Sequence, residues 1–127
     1  MRTTICLVDD DKMIRELVGQ VLSDLGLQVV KCKNVSEFKS YIQLSIPDLI
    51  ILDIHLPDGN GIETCVNLRA NKLYDSLPIL LMSADCDARP LKNIFHLVDF
   101  IEKPFSLENF YNQLSGLLVS QKGTSLN

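Results

Sequence analysis

Three consecutive aspartates, Asp9, Asp10 and Asp11, close the apolar run in CLVDDDKM, and a fourth, Asp53, ends the run LIIL. Two carboxylates about 4 Å apart repel by roughly 4 kcal/mol at an effective dielectric near 20. A chain places acids that way where they do no harm, as at an open helix start, or where a cation makes the crowding useful. Two more polar groups end apolar runs: Ser83 after PILLM, and Lys103 in FIEKPF. Oxygen donors at this density, without histidine or thiolate company, suit Mg²⁺ rather than zinc or copper. A lysine and a hydroxyl beside them could hold the oxygens of a phosphoryl group while the metal offsets its charge.

That chemistry requires the groups to meet, which depends on the elements carrying them. Residues 4–8 read as a strand. Met13, Ile14, Leu17, Val18, Val21, Leu22 and Leu25 then recur at helical spacing, with Gly26 as the stop. A second strand follows at 27–30. Asn34 and Glu37 have the spacing of a capping box, opening a helix that turns Val35, Phe38 and Ile42 inward. Residues 49–52 are apolar at every position, as in a parallel strand buried on both faces. Residues 57–61 form a turn-rich loop, and the helix after it carries Ile62, Cys65 and Val66 on one face. A strand at 77–82, a short segment at 91–97 and a strand at 98–102 come next. Ser106 is the expected N-cap of a last helix burying Leu107, Phe110, Leu114, Leu117 and Leu118. One domain spans 1–120, and 121–127 is a polar tail.

Strand and helix thus alternate five times, which implies an α/β fold: a doubly wound five-stranded parallel sheet with helices on both faces. Its binding crevice lies beyond the carboxyl ends of the strands, where the winding direction switches. With strand order 2-1-3-4-5, the first and third strands are neighbours. Asp9, Asp10 and Asp53 then converge, with Ser83 and Lys103 on the adjoining strand ends.

Composition excludes several alternatives. Twelve basic residues against sixteen acidic ones leave a net charge of −4, unlike the basic surface a direct nucleic-acid contact needs. No apolar run approaches the ~20 residues of a membrane span, and the N-terminus has no signal-peptide core, so the chain reads as cytoplasmic. Cys6, Cys32, Cys65 and Cys86 lack the paired short spacing of a zinc site and read as reduced thiols, some of them core fillers.

Four segments, LVDDD, LIILDIHLPDGNG, PILLMSA and FIEKPF, occur in order at four strand ends. On them the chain, from about Thr4 to Val119, resembles the receiver domain of two-component response regulators, of the flavodoxin-like chemotaxis-regulator type. The resemblance implies that Asp53 accepts a phosphoryl group and that Asp10 ligates Mg²⁺ directly. Asp9 would hold a metal-bound water, and the His55 backbone carbonyl would complete the protein ligands. Ser83 would be the switch hydroxyl, Lys103 the lysine that pairs with Asp53 and then with the phosphoryl oxygens, and Phe100 the rotating aromatic. The Lys103–Pro104 bond would be cis. The expected partners are a histidine kinase or histidine phosphotransfer protein and an output protein. A homodimer could form through the face of the fourth helix, fifth strand and last helix, where Ile94, Phe95 and Leu97 are apolar. The domain would catalyse its own phosphorylation and dephosphorylation and turn over no metabolite.

The chain departs from the family in one region. Between Ser83 and Lys103 the spacing is short, Pro90 interrupts it, and His96-Leu97-Val98 stand where small residues are usual. The fourth helix is therefore expected to be short or displaced. Asp11 reads as a helix N-terminal residue, Asp58-Gly59 as a structural turn, His55 as a solvated loop histidine and His96 as structural. The competing enzyme reading is a haloacid-dehalogenase-type phosphatase, with Asp9 as nucleophile and Asp11 as acid/base. It leaves Asp53 without a role.

Overall fold

The computed structural model describes residues 2–84 and 90–122. Five strands, β1 (Thr4–Val8), β2 (Gln28–Cys32), β3 (Leu49–Asp53), β4 (Ile79–Ser83) and β5 (Val98–Glu102), form one parallel sheet in the order β2-β1-β3-β4-β5. The helices are α1 (Lys12–Asp24), α2 (Val35–Leu44), α3 (Gly61–Arg69), α4 (Leu91–Ile94) and α5 (Leu107–Lys122). A two-residue antiparallel ladder, His55–Leu56 against Gly59–Asn60, folds the loop after β3.

The continuous apolar strands are explained by what covers them. Every residue of β3 and of β4 is buried. Alternate side chains feed two separate cores, since successive residues of a strand point to opposite faces. Ile50, Leu52, Ile79 and Leu81 join Phe38, Ile42, Cys65 and Leu68 under α2 and α3. Ile51, Leu80 and Met82 join Val18, Leu22, Phe110 and Leu114 under α1 and α5. At roughly 1.5–3 kcal/mol for each large apolar side chain removed from water, these cores fix the strand ends on which the polar groups stand.

Both expected helix starts hold. Asn34 accepts from the Glu37 amide at 2.8 Å, and Glu37 reaches back to the Lys33 amide, one residue beyond the N-cap amide of a standard box. Ser106 accepts from the Asn109 amide at 3.1 Å. The Lys103–Pro104 peptide is cis. Some boundaries differ. β2 runs from 28 to 32, β4 starts at Ile79 rather than 77, and α5 continues through Lys122, into the stretch read as a tail.

Four apolar residues assigned to helix faces are exposed: Met13, Leu17, Val66 and Leu107. Each sits on a helix shoulder or in a first turn, where a 100° step per residue carries it past the edge of the sheet. Cys6, Cys32 and Cys65 are buried free thiols, and burial pushes the Cys65 thiol up to about 11, well away from reactivity at neutral pH. Cys86 lies outside the described residues.

As the short spacing implied, α4 is a single turn. After it, Leu97 has φ of 59°, the left-handed region, and no other non-glycine residue among the described ones does. For an L-residue that conformation costs roughly 1–2 kcal/mol. Arg69, from the end of α3, holds it in place. Its guanidinium donates to the carbonyls of His96 at 3.1 Å, Leu97 at 3.2 Å, Tyr74 at 3.0 Å and Leu77 at 2.7 Å. One cation thereby closes the connections into both β4 and β5.

Candidate functional site

Strand register delivers the acids. Val8 pairs with Leu52, so the next residues out, Asp9 and Asp53, emerge side by side. Pairing continues past the strand ends: the Asp9 amide donates to Cys32 O, the Ile54 amide to Met82 O and the Lys103 amide to Ser83 O. Carboxylate oxygens of Asp9, Asp10 and Asp53 all lie within 4.8 Å of one another. Asp9 is fully buried and Asp53 is 6% exposed, whereas Asp10 faces solvent.

Lys103 reaches into this cluster. Its Nζ donates to Asp9 Oδ2 at 2.8 Å and to Asp53 Oδ2 at 3.1 Å. The remaining Asp9 oxygen accepts from the Asp11 amide at 2.9 Å, and Asp53 Oδ1 accepts from the His55 amide at 3.1 Å. Burial pushes the Asp53 carboxyl above the usual carboxylate range, and the neighbouring Asp9 charge adds to that. The His55 amide and Lys103 only partly oppose it. Burial pulls the Lys103 ammonium down, but its bonds to the two aspartates outweigh that and hold it above the ordinary lysine value. Lys103 therefore stays charged, and Asp9 and Asp53 share its ammonium.

Such a cluster suits a hard divalent cation. All its donors are oxygens, they lie within 4.8 Å of one another, and Asp10 is on the solvent side. The donor set therefore fits Mg²⁺, with Asp10 and Asp53 as the carboxylates that would hold it. Ser83 stands at the end of β4, 1% exposed, next to the strand that leads to Lys103. His55 is exposed, and His96 is exposed with its carbonyl taken by Arg69. Asp11 is the N-cap of α1, accepting from the Met13 amide at 2.9 Å.

Asp9 is also unsuited to the nucleophile's role in the phosphatase reading. It has no solvent-exposed surface, and both of its oxygens are engaged. The ring of Phe100 is already packed inward, in the core under α2 and α3. Its backbone is held from α5, where Gln113 Nε2 donates to Phe100 O at 2.6 Å.

Two side chains matter here that sequence reading missed. Asp58, read as a turn residue, is a cap supplied from a distance. Its carboxylate accepts from the amides of Val35 at 2.8 Å and Ser36 at 3.0 Å, tying the loop after Asp53 to the start of α2. Gly61 permits this packing, because a β-carbon there would collide with the Asp53 carbonyl oxygen and Ile54 Cα. Arg15 donates to the backbone oxygen of Asp9 at 2.7 Å. Neither contact has a sequence signal, because each joins a side chain to a backbone group whose position only the fold sets.

The helix amides hold the Asp58 carboxyl below the usual carboxylate range. A depressed folded value means stability that is present above the unfolded value, roughly pH 4, and is lost as pH falls through the folded one. Asp58→Asn should therefore melt below the native chain at neutral pH, and the gap should close as pH falls below about 4. Thermal melts across pH check this; a gap of constant size would remove the charge-based cap.

The model of the response regulator receiver domain family matches residues 5–115. The transcriptional regulatory protein GltR of Pseudomonas aeruginosa is 32% identical over 117 residues, covering 91% of this chain and 48% of that protein. The chain spans about half the length of the curated relatives it matches. Among solved structures, the chemotaxis response regulator CheY4 of Vibrio cholerae superposes with a TM-score of 0.83 at 25% identity, covering 93% of this chain and 100% of that one. A signal receiver domain of a signal transduction histidine kinase from Syntrophus aciditrophicus does so at 0.83 with 26% identity, covering 97% and 95%.

Proposed function

The chain belongs to the response regulator receiver domain family, and on that premise we propose that it takes a phosphoryl group onto Asp53 from phosphohistidine. The donor is a histidine kinase or histidine phosphotransfer protein of the cytoplasm, and residues 1–120 are the working unit. Lys103 bridging Asp9 and Asp53 carries this reading. A partly buried lysine held between the acceptor and a second acid is placed to follow the charge when Asp53 is phosphorylated.

In the transfer, an Asp53 oxygen forms the new bond to phosphorus as the bond to the imidazole nitrogen breaks, and the imidazole leaves with the electron pair. Bound Mg²⁺ would offset the phosphoryl charge. Asp10, Asp53 and the His55 carbonyl are its proposed protein ligands, with Asp9 acting through a water. The phosphoryl group brings about −2 charge and three acceptor oxygens. Lys103 meets that charge, and the Ser83 hydroxyl donates one hydrogen bond.

Phe100 carries no hydroxyl that would draw it to water, and its ring is already buried. The switch then has only the Ser83 loop to move, and the active arrangement costs less in the unphosphorylated chain. The changing surface is the face of α4, β5 and α5, where Ile94 and Val119 are exposed for an output protein or a second copy. The phosphodonor would approach along a different edge. An apolar groove of about 450 Å³, lined by Ile14, Leu17, Phe105 and Leu107, runs up to Lys103.

Intact-mass measurement after treatment with acetyl phosphate tests the reading. One phosphoryl group should be added with Mg²⁺ present and none with the cation chelated. Equal uptake in both conditions would count against it.

A further inference from the structure

We propose that Arg15 is a positioning residue for the metal site: by holding the Asp9 carbonyl, its guanidinium sets the Asp9–Asp10 peptide and so the aim of the Asp10 carboxylate. The inference rests on the reading of Asp10 as a cation ligand.

The first turn of α1 is the starting point. A helix N-terminus favours acids and disfavours cations. Yet the first turn of α1 contains no acid, and Lys12 and Arg15 both lie near its start. Lys12 is solvent-exposed and pairs along the helix with Glu16 at 3.9 Å. Arg15 behaves differently. Its amide makes the ordinary helical bond to Asp11 O at 3.0 Å, while its side chain runs back over the helix start to Asp9 O at 2.7 Å. Side chains of a helix lean towards its N-terminus, which makes that reach natural. A bond this short from a charged donor is of the strong kind.

That bond completes the immobilisation of Asp9. Its amide is held by Cys32 O, one carboxylate oxygen by the Asp11 amide, the other by Lys103, and the carbonyl by Arg15. Asp10 is the opposite case. It is exposed, and among the described residues no hydrogen bond or ion pair to its carboxylate is found. Among the described residues, the backbone on either side is what sets its direction. Asp11 fixes the far side as N-cap, and Arg15 fixes the near side through the peptide that joins Asp9 to Asp10. Groups that orient a ligand from behind typically change metal affinity about 10–100-fold when removed.

Two other roles predict different results. A guanidinium acting only through its charge would repel the cation, so its removal would tighten binding, most at low salt. A guanidinium acting only as a staple for α1 would change stability and leave affinity alone.

Mg²⁺ titration by calorimetry, with amide shifts of residues 9–11 followed in parallel, separates the three. Arg15→Ala should weaken Mg²⁺ binding about tenfold, and Arg15→Lys, which keeps a charged donor, should recover part of the loss. In an Asp10→Asn background, Arg15→Ala should weaken binding no further, because the ligand it aims is gone. Melts in chelator confirm that each variant is folded, and Arg15→Lys carries the test if Arg15→Ala is not. Unchanged or tighter binding in Arg15→Ala, or a full additional loss in the Asp10→Asn background, overturns the proposal while leaving the metal site standing. No Mg²⁺ binding by the native chain removes both.

Discussion

Asp53→Asn should reduce phosphoryl uptake from acetyl phosphate to background while making the metal-free protein more stable. The two effects have one origin. Asp53 is buried beside Asp9, and its carboxyl is pushed above the usual range. A carboxyl raised in the folded state contributes stability that is fully present below its unfolded value, roughly pH 4, and is lost as pH rises through the folded one. At neutral pH the native chain without a cation has lost that contribution, and an amide has no charge to desolvate. The variant should gain about 1 kcal/mol at pH 7, and the gain should vanish near pH 4. Melts in chelator at both pH values, run beside intact-mass measurement of uptake, check the pair of outcomes. A variant that took up phosphoryl as the native chain does would remove Asp53 as acceptor. A variant less stable than the native chain at pH 7 would mean that the bond to Lys103 outweighs desolvation.

Arg69→Ala should be the most damaging substitution away from the acidic cluster. Four carbonyls, of Tyr74, Leu77, His96 and Leu97, lose a charged donor at once. Hydrogen bonds to charged groups contribute about 1.5–3 kcal/mol each, and bonds sharing one guanidinium are not additive. A loss of at least ~3 kcal/mol is expected. For a domain of this size that lowers Tm by roughly 10 °C or more. Arg69→Lys should recover less than half, since an ammonium cannot span four acceptors from a planar fork. The loss has a structural direction as well. Arg69 over-determines the left-handed backbone at Leu97, so the start of β5 should loosen first, seen as faster amide exchange there than in β1. A drop within about 1 kcal/mol would show that the carbonyls find other donors, and that the clamp is not what holds Leu97.

What could be read in advance, and what could not, follows a physical line. Sheet order and the meeting of Asp9, Asp10 and Asp53 were legible because they depend on periodicity and on alternation of strand with helix. The run at 49–52 is apolar at every position because both its faces are covered, and that is visible in one dimension. Ser83 and Lys103 were placed for the same reason, one at the last position of a buried strand and the other one step past the next. Arg15, Asp58 and Arg69 were not legible. Each spends its side chain on a backbone group supplied by another segment, and nothing in the order of residues names that group. Edges of amphipathic faces were also misread at Met13, Leu17, Val66 and Leu107, where periodicity fixes the centre of a stripe better than its margin. Phe100 was read as the rotating aromatic, and its ring is packed in the core under α2 and α3.

The central claim is that Asp53, and no other group, carries the phosphoryl group, as an acyl phosphate. Borohydride reduces an aspartyl phosphate to an alcohol and leaves free carboxylates intact, so the reduced residue can be located by peptide mass spectrometry. After treatment with acetyl phosphate and Mg²⁺, reduction should fall on Asp53 alone. Reduction at Asp9 instead would contradict the account and restore the phosphatase reading.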